Sequence, residues 1–160
     1  MTLTLPQPKA VLDLLSMFIG SRPPLAPGPS LDLTYPLPGT YVTWLKGADG
    51  QVEGAIFSDL AASLYLGGEL LMMPPQALKE MMTAGEASDT VLDALGEVFN
   101  NVRALLNRIE MNPHVTPTDP VLYEAPTPDG PDAWVLAPSR RVDLRGNTGF
   151  GPASLTLLSR

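Results

Sequence analysis

Asp93, Glu97, Asn100 and Ala104 follow one another at intervals of four, three and four residues. At roughly 100° per residue of an α-helix they fall within a sector of about 60° and form one exposed ridge of two carboxylates, an amide and a methyl group. Such a ridge can dock a basic surface. It falls short as a metal site, because a hard cation takes roughly six to eight oxygen ligands and two carboxylates one turn apart do not make a cage. No metal is therefore expected on this chain. A solvated helix face carrying Asp, Glu and Asn is also what most surface helices present, so the spacing alone does not separate a working ridge from an ordinary one.

Other chemistry finds little support. His114 is the only histidine and lies between Pro113 and Val115, and no Gly-x-Ser-x-Gly accompanies it, so a Ser-His-Asp triad has no motif behind it. Neither a Gly-x4-Gly-Lys-Ser/Thr loop nor Gly-x-Gly-x2-Gly occurs, which leaves nucleotide binding without a cradle. The chain has no cysteine, which removes disulfides, thiolate nucleophiles and Cys-based zinc sites. A net charge of -7 and a pI near 4.5 argue against nucleic acid as partner, because phosphate-backbone binding draws on clustered Lys and Arg. The basic Arg140, Arg141, Arg145 and Arg160 are scattered over a strand and the terminus.

The ridge needs a helix to carry it, and residues 88–110 supply one. Val91, Leu92, Leu95, Val98, Phe99, Val102, Leu105, Leu106 and Ile109 recur at the i, i+3, i+4, i+7 spacing of a face packed on a core. Ser88 is the expected N-cap, with Asp89 adding charge where the helix dipole favours it. Around that helix, proline divides the chain: eight of the 18 prolines lie in residues 1–38, seven in 113–138, and only Pro74 and Pro75 interrupt 39–112. Residues 9–20 read as a helix entered at Pro8 and closed by Gly20. The proline-rich stretch 22–38 reads as a connector or edge segment. Residues 41–46 and 51–57 flank Gly47-Ala48-Asp49-Gly50 as a hairpin, with Trp44 in or beside the core. A helix rich in small residues follows over 58–67, ended by the Gly67-Gly68 pair, and a short one runs from Pro75 through Met82 to Gly85. The methionine-bearing tracts 70–73 and 81–82 read as core packing ahead of an adaptable partner groove. Strands are expected over 114–123 with proline interruptions, 133–144 and 153–159, with turns at Asp129-Gly130 and Arg145-Gly146-Asn147. The order predicts an α+β fold, a largely antiparallel sheet with helices packed on one face.

With 160 residues, 44% hydrophobic and 17% charged, the chain reads as one globular domain over residues 1–160. The N-terminus shows no basic segment leading into a long apolar run, and no stretch approaches the roughly 18 apolar residues of a membrane span. No membrane partner and a cytoplasmic setting are expected.

Asp93-x3-Glu97-x2-Asn100 resembles the Asp/Ser-x3-Glu-x2-Asn signature of the CheC/CheX/FliY family, bacterial chemotaxis phosphatases that act on a phosphorylated response regulator. The resemblance extends to the order of an apolar N-terminal helix, a hairpin, a helix of small residues and then the motif helix, over about residues 8–158. No second Glu-x2-Asn helix is present, so the chain resembles the single-motif CheX type. The resemblance implies that Asn100 enters the active site of a CheY-like regulator and orients the attacking water, while Glu97 pairs with the regulator's lysine. Asp93 and Ala104 would lie at the edge of the contact. Magnesium would stay on the regulator, and no cofactor is implied on this chain. Homodimers occur in the family, and an edge strand of the C-terminal half would be the pairing element. Two positions depart from the family pattern. Ala104 stands where glycine is frequent, and the proline expected some twenty residues beyond the Asn has Pro117 and Pro120 nearby but Tyr123 at the approximate place. A CheC-like fold also admits a different role, a non-catalytic binding or scaffold module in a chemotaxis, flagellar switch or two-component complex. Burial of Glu97 and Asn100 would instead make the motif a chance match.

Overall fold

A computed structural model describes residues 2–160. One seven-stranded antiparallel sheet takes strands in the order β1-β6-β7-β3-β2-β4, with β5 also pairing β2. These are β1 (Ala26–Pro27), β2 (Tyr41–Lys46), β3 (Val52–Ser58), β4 (Thr116–Pro117), β5 (Val121–Leu122), β6 (Arg140–Thr148) and β7 (Gly151–Ser159). Four helices, α1 (Pro8–Ile19), α2 (Leu60–Leu70), α3 (Pro75–Ala84) and α4 (Asp89–Asn107), complete the chain. The α+β arrangement, with the helices on one face of the sheet, is the one expected. No described helix is long and apolar enough to cross a membrane.

Strand periodicity sends alternate side chains to two cores. Tyr41, Leu45, Ile56, Leu144, Leu155 and Leu157 face the helices and pack with Leu64, Leu95, Phe99 and Val102. Val42, Ala55, Phe57 and Leu158 point the other way, where Leu31, Leu33, Tyr123 and Val135 cover them without any α-helix. Trp44 joins this second cluster, edge-on to both Phe57 and Trp134. The proline-rich connector is held down by Asp143. Its carboxylate accepts from Leu31 N, from Thr156 Oγ1 at 2.7 Å and from Arg141 Nε at 2.7 Å. Burial alone would raise this carboxyl, but the Arg141 and Thr156 donors outweigh it and hold it below the ordinary value.

Three local expectations are corrected. Gly67 and Gly68 do not end α2; the helix runs through both to Leu70. A Cβ on Gly67 would stand 2.7 Å from the Val91 carbonyl of α4, and one on Gly68 2.6 Å from Leu78 of α3. The pair serves close helix packing rather than a left-handed turn. Residues 133–136 form a 3-10 turn in place of the first part of a strand, because Val135 and Trp134 fold onto the second core and the chain enters β6 only at Arg140. Arg145-Gly146-Asn147 lies within β6, which pairs with β7 as far as Thr148 opposite Gly151. A Cβ on Gly146 would collide with the Pro24 carbonyl oxygen, so this glycine admits the crossing connector. Of the methionine tracts, Leu70, Met73 and Met81 pack against the core, while Met72 is exposed at φ 53°.

Candidate functional site

The start of α4 is fixed at two points. Ser88 Oγ accepts from Val91 N at 3.3 Å, and Ala87 N donates to the Tyr41 hydroxyl at 2.9 Å. Val91, Ala94, Leu95, Val98, Phe99, Val102 and Leu106 are buried, which leaves the opposite face to solvent. Asp93, Glu97 and Asn100 are all exposed there, while Ala104, one turn further on, is half-buried. The motif side chains are therefore free of the core, as a working ridge requires. His114 is exposed on the loop after α4.

Asp93, Glu97 and Asn100 form one wall of a cleft of about 310 Å³, together with Leu92 and Gly96. Ala104 is outside its lining. The facing wall is Pro117, the last residue of β4, with Thr118, Asp119 and Pro120 of the link to β5. These two short strands would be one edge strand on β2 but for the prolines, which cannot donate to a ladder. Thr118 restores the lost pairing with its side chain: Trp44 N donates to Thr118 Oγ1 at 3.0 Å, and Thr118 N to Trp44 O at 2.9 Å. Asp119 and Pro120 consequently bulge toward α4. Pro120 Cδ would lie 3.3 Å from a Cβ on Gly96, so a bare glycine lets the two walls close at the base of the cleft.

The spacing of the walls is set by Asn107, whose amide brackets Val115. Asn107 Nδ2 donates to Val115 O and Val115 N donates to Asn107 Oδ1, each at 3.0 Å. On the ridge, Asn101 Nδ2 donates to the Glu97 carbonyl at 2.8 Å and so leaves the motif face. Asn100 Oδ1 accepts from Arg103 Nε at 3.2 Å and from Arg103 Nη2 at 2.6 Å. Sequence reasoning missed Arg103, Thr118 and Asp119. Pro-x2-Pro over 117–120 marks a broken edge strand, a place where bulges aim side chains, and was legible as such. Tyr123 is no part of the cleft. It is buried on the face without any α-helix, edge-on to Phe57, with its hydroxyl donating to Leu33 O at 3.1 Å.

No protein-family model matches the sequence, and no curated protein does. Solved structures match in fold. A chain of the FliM–SpeE complex from Helicobacter pylori superposes with a TM-score of 0.60 at 12% identity, over 95% of this chain and 80% of that one. A chain of the CheX–CheY–BeF3–Mg complex from Borrelia burgdorferi gives 0.55 at 16%, over 94% and 92%. A CheC-like superfamily protein from Shewanella sp. PV-4 gives 0.54 at 14%, over 95% and 93%. The architecture is thus shared with a CheC-like superfamily protein and with chains of the CheX–CheY and FliM–SpeE complexes, and the likeness at these identities is one of fold.

Proposed function

We propose that this chain is a CheX-like, single-motif phosphatase for the aspartyl phosphate of a CheY-like response regulator in the cytoplasm. The observation that carries the reading is that Glu97 and Asn100 stand exposed, side by side, on the wall of one cleft. An aspartyl phosphate is an activated mixed anhydride, so the catalyst has chiefly to place water in line with the leaving oxygen. The water oxygen bonds to phosphorus and the bond from phosphorus to the aspartate oxygen breaks. Its electron pair stays on the carboxylate, and the water protons pass to phosphate and solvent. Asn100 orients that water, Glu97 pairs with the regulator's lysine, and Asp93 flanks the contact with Ala104 at its far edge. Magnesium belongs to the regulator.

The test is the decay of phosphate on a response regulator of the same organism, with and without the protein and with Asn100→Ala. Faster decay with the wild type, lost in the variant while binding persists, is the expected result. The fold shared with a FliM–SpeE chain favours a second reading, a non-catalytic binding or scaffold module. Under it the regulator binds and its phosphate decays at the unassisted rate with either protein.

A further inference from the structure

Arg103 is the only basic residue of α4, and its neighbours three and four residues along the helix, Phe99, Asn100, Leu106 and Asn107, include no carboxylate. Among the described residues the ion pairs are Lys9–Asp13 and Arg141–Asp143, and Arg103 instead directs two N–H groups at the neutral side chain of Asn100. A guanidinium only donates, so the atom it grips must be the carbonyl oxygen, and the NH2 of Asn100 is turned the other way. Both lone pairs of Oδ1 have a donor in this fork. Asn100 lines the cleft and Arg103 does not, so the oxygen is drawn out of the cleft toward the next turn.

We propose that Arg103 is the positioning residue for Asn100: its forked N–H pair holds the carbonyl back, so that the cleft receives the amide as an N–H donor. The inference rests on the phosphatase reading and deepens it. A water that accepts from Nδ2 is held through one lone pair and keeps the other for attack on phosphorus. Fixing the amide in advance also removes rotamer freedom that would otherwise be lost during reaction. Lysine cannot reproduce the effect, because an ammonium is a point charge without the planar fork.

Two measurements on the full chain decide it. The first is dephosphorylation of a response regulator phosphorylated with phosphoramidate, for the wild type, Arg103→Ala and Arg103→Lys. Both variants should lower kcat about tenfold, with KM held within about twofold, since the interaction lost acts on the reacting geometry and not on docking. A raised KM at unchanged kcat, or full activity in Arg103→Lys, overturns the assignment. The second is the 1H–15N spectrum of the Asn100 side-chain amide without any partner. Its two protons should give dispersed resonances in the wild type that collapse toward free-amide positions in Arg103→Ala, with circular dichroism unchanged. Identical amide spectra in the two proteins overturn the inference. If the wild type fails to hasten decay, the phosphatase reading falls alone, and the amide spectra still decide whether Arg103 holds Asn100.

Discussion

An amide at position 100 does something a carboxylate cannot. It donates as well as accepts, and in the proposed reaction it carries no charge toward a phosphoryl group that is already anionic. Asn100→Asp is the test at this scale: shape is kept, the donor is lost, and a negative charge faces the phosphate. Phosphatase activity should fall by about 100-fold or more, comparable with losing a preorganised donor elsewhere, and retained activity would point to a general base in place of a positioned amide. Tyr123 gives a second prediction, remote from the cleft. Burial, with Asp132 adding to it, pushes its phenol up from 10.0 to about 12. The unfolded chain therefore releases this proton at lower pH than the folded one, and the neutral phenol's contribution to stability is lost as pH rises from 10.0 toward 12. Tyr123→Phe should lose that alkaline decline in urea midpoints. At pH 7 it should be less stable by about 1 kcal/mol, because the Leu33 carbonyl loses its donor.

Among the elements, α2 against α4 sets where the ridge stands. At Gly67 the two helices approach closely, a Cβ there standing 2.7 Å from the Val91 carbonyl. Gly67→Ala gains about 1 kcal/mol of helix propensity, yet the obstacle is backbone and cannot rotate aside, so overpacking of about 1–3 kcal/mol should outweigh it. The variant should unfold at lower urea concentration, and an unchanged midpoint would show that α4 can shift freely. The same interface explains what the sequence disclosed and what it hid. The α4 stripe, its Ser88 cap and the exposed motif face follow from a period of 3.6 that tertiary context did not override. The Gly67-Gly68 pair was read as a stop because local rules assign glycine to turns, while its reasons are the Val91 carbonyl 24 residues after Gly67 and the Leu78 side chain 10 residues after Gly68. Gly146 misled for the same cause, the Pro24 carbonyl being 122 residues distant in sequence. The second wall of the cleft was hidden likewise: prolines mark the break at 117–120, but only Asn107 and the Trp44 pairing show that the break faces α4.

For the molecule as a whole, charge decides how a partner arrives. At net -7, the protein repels acidic surfaces at long range, and the cleft adds Asp93, Glu97 and Asp119 at short range. Under the proposed function a regulator brings its positive groups to the cleft, and attraction between exposed charges decays over about 8 Å at physiological salt. The association rate should consequently fall by about tenfold or more between 0.05 and 0.5 M NaCl, with dissociation changing less, because steering acts on encounter. Asp119→Asn should flatten that salt dependence as Asp93→Asn does, since both carboxylates sit on the rim of the same cleft from opposite walls. Stopped-flow binding at several salt concentrations separates the cases. A flattened slope for Asp93→Asn alone would mean that the partner touches only the helix, and the proline-bracketed wall would then serve to hold α4 in place rather than to receive the regulator.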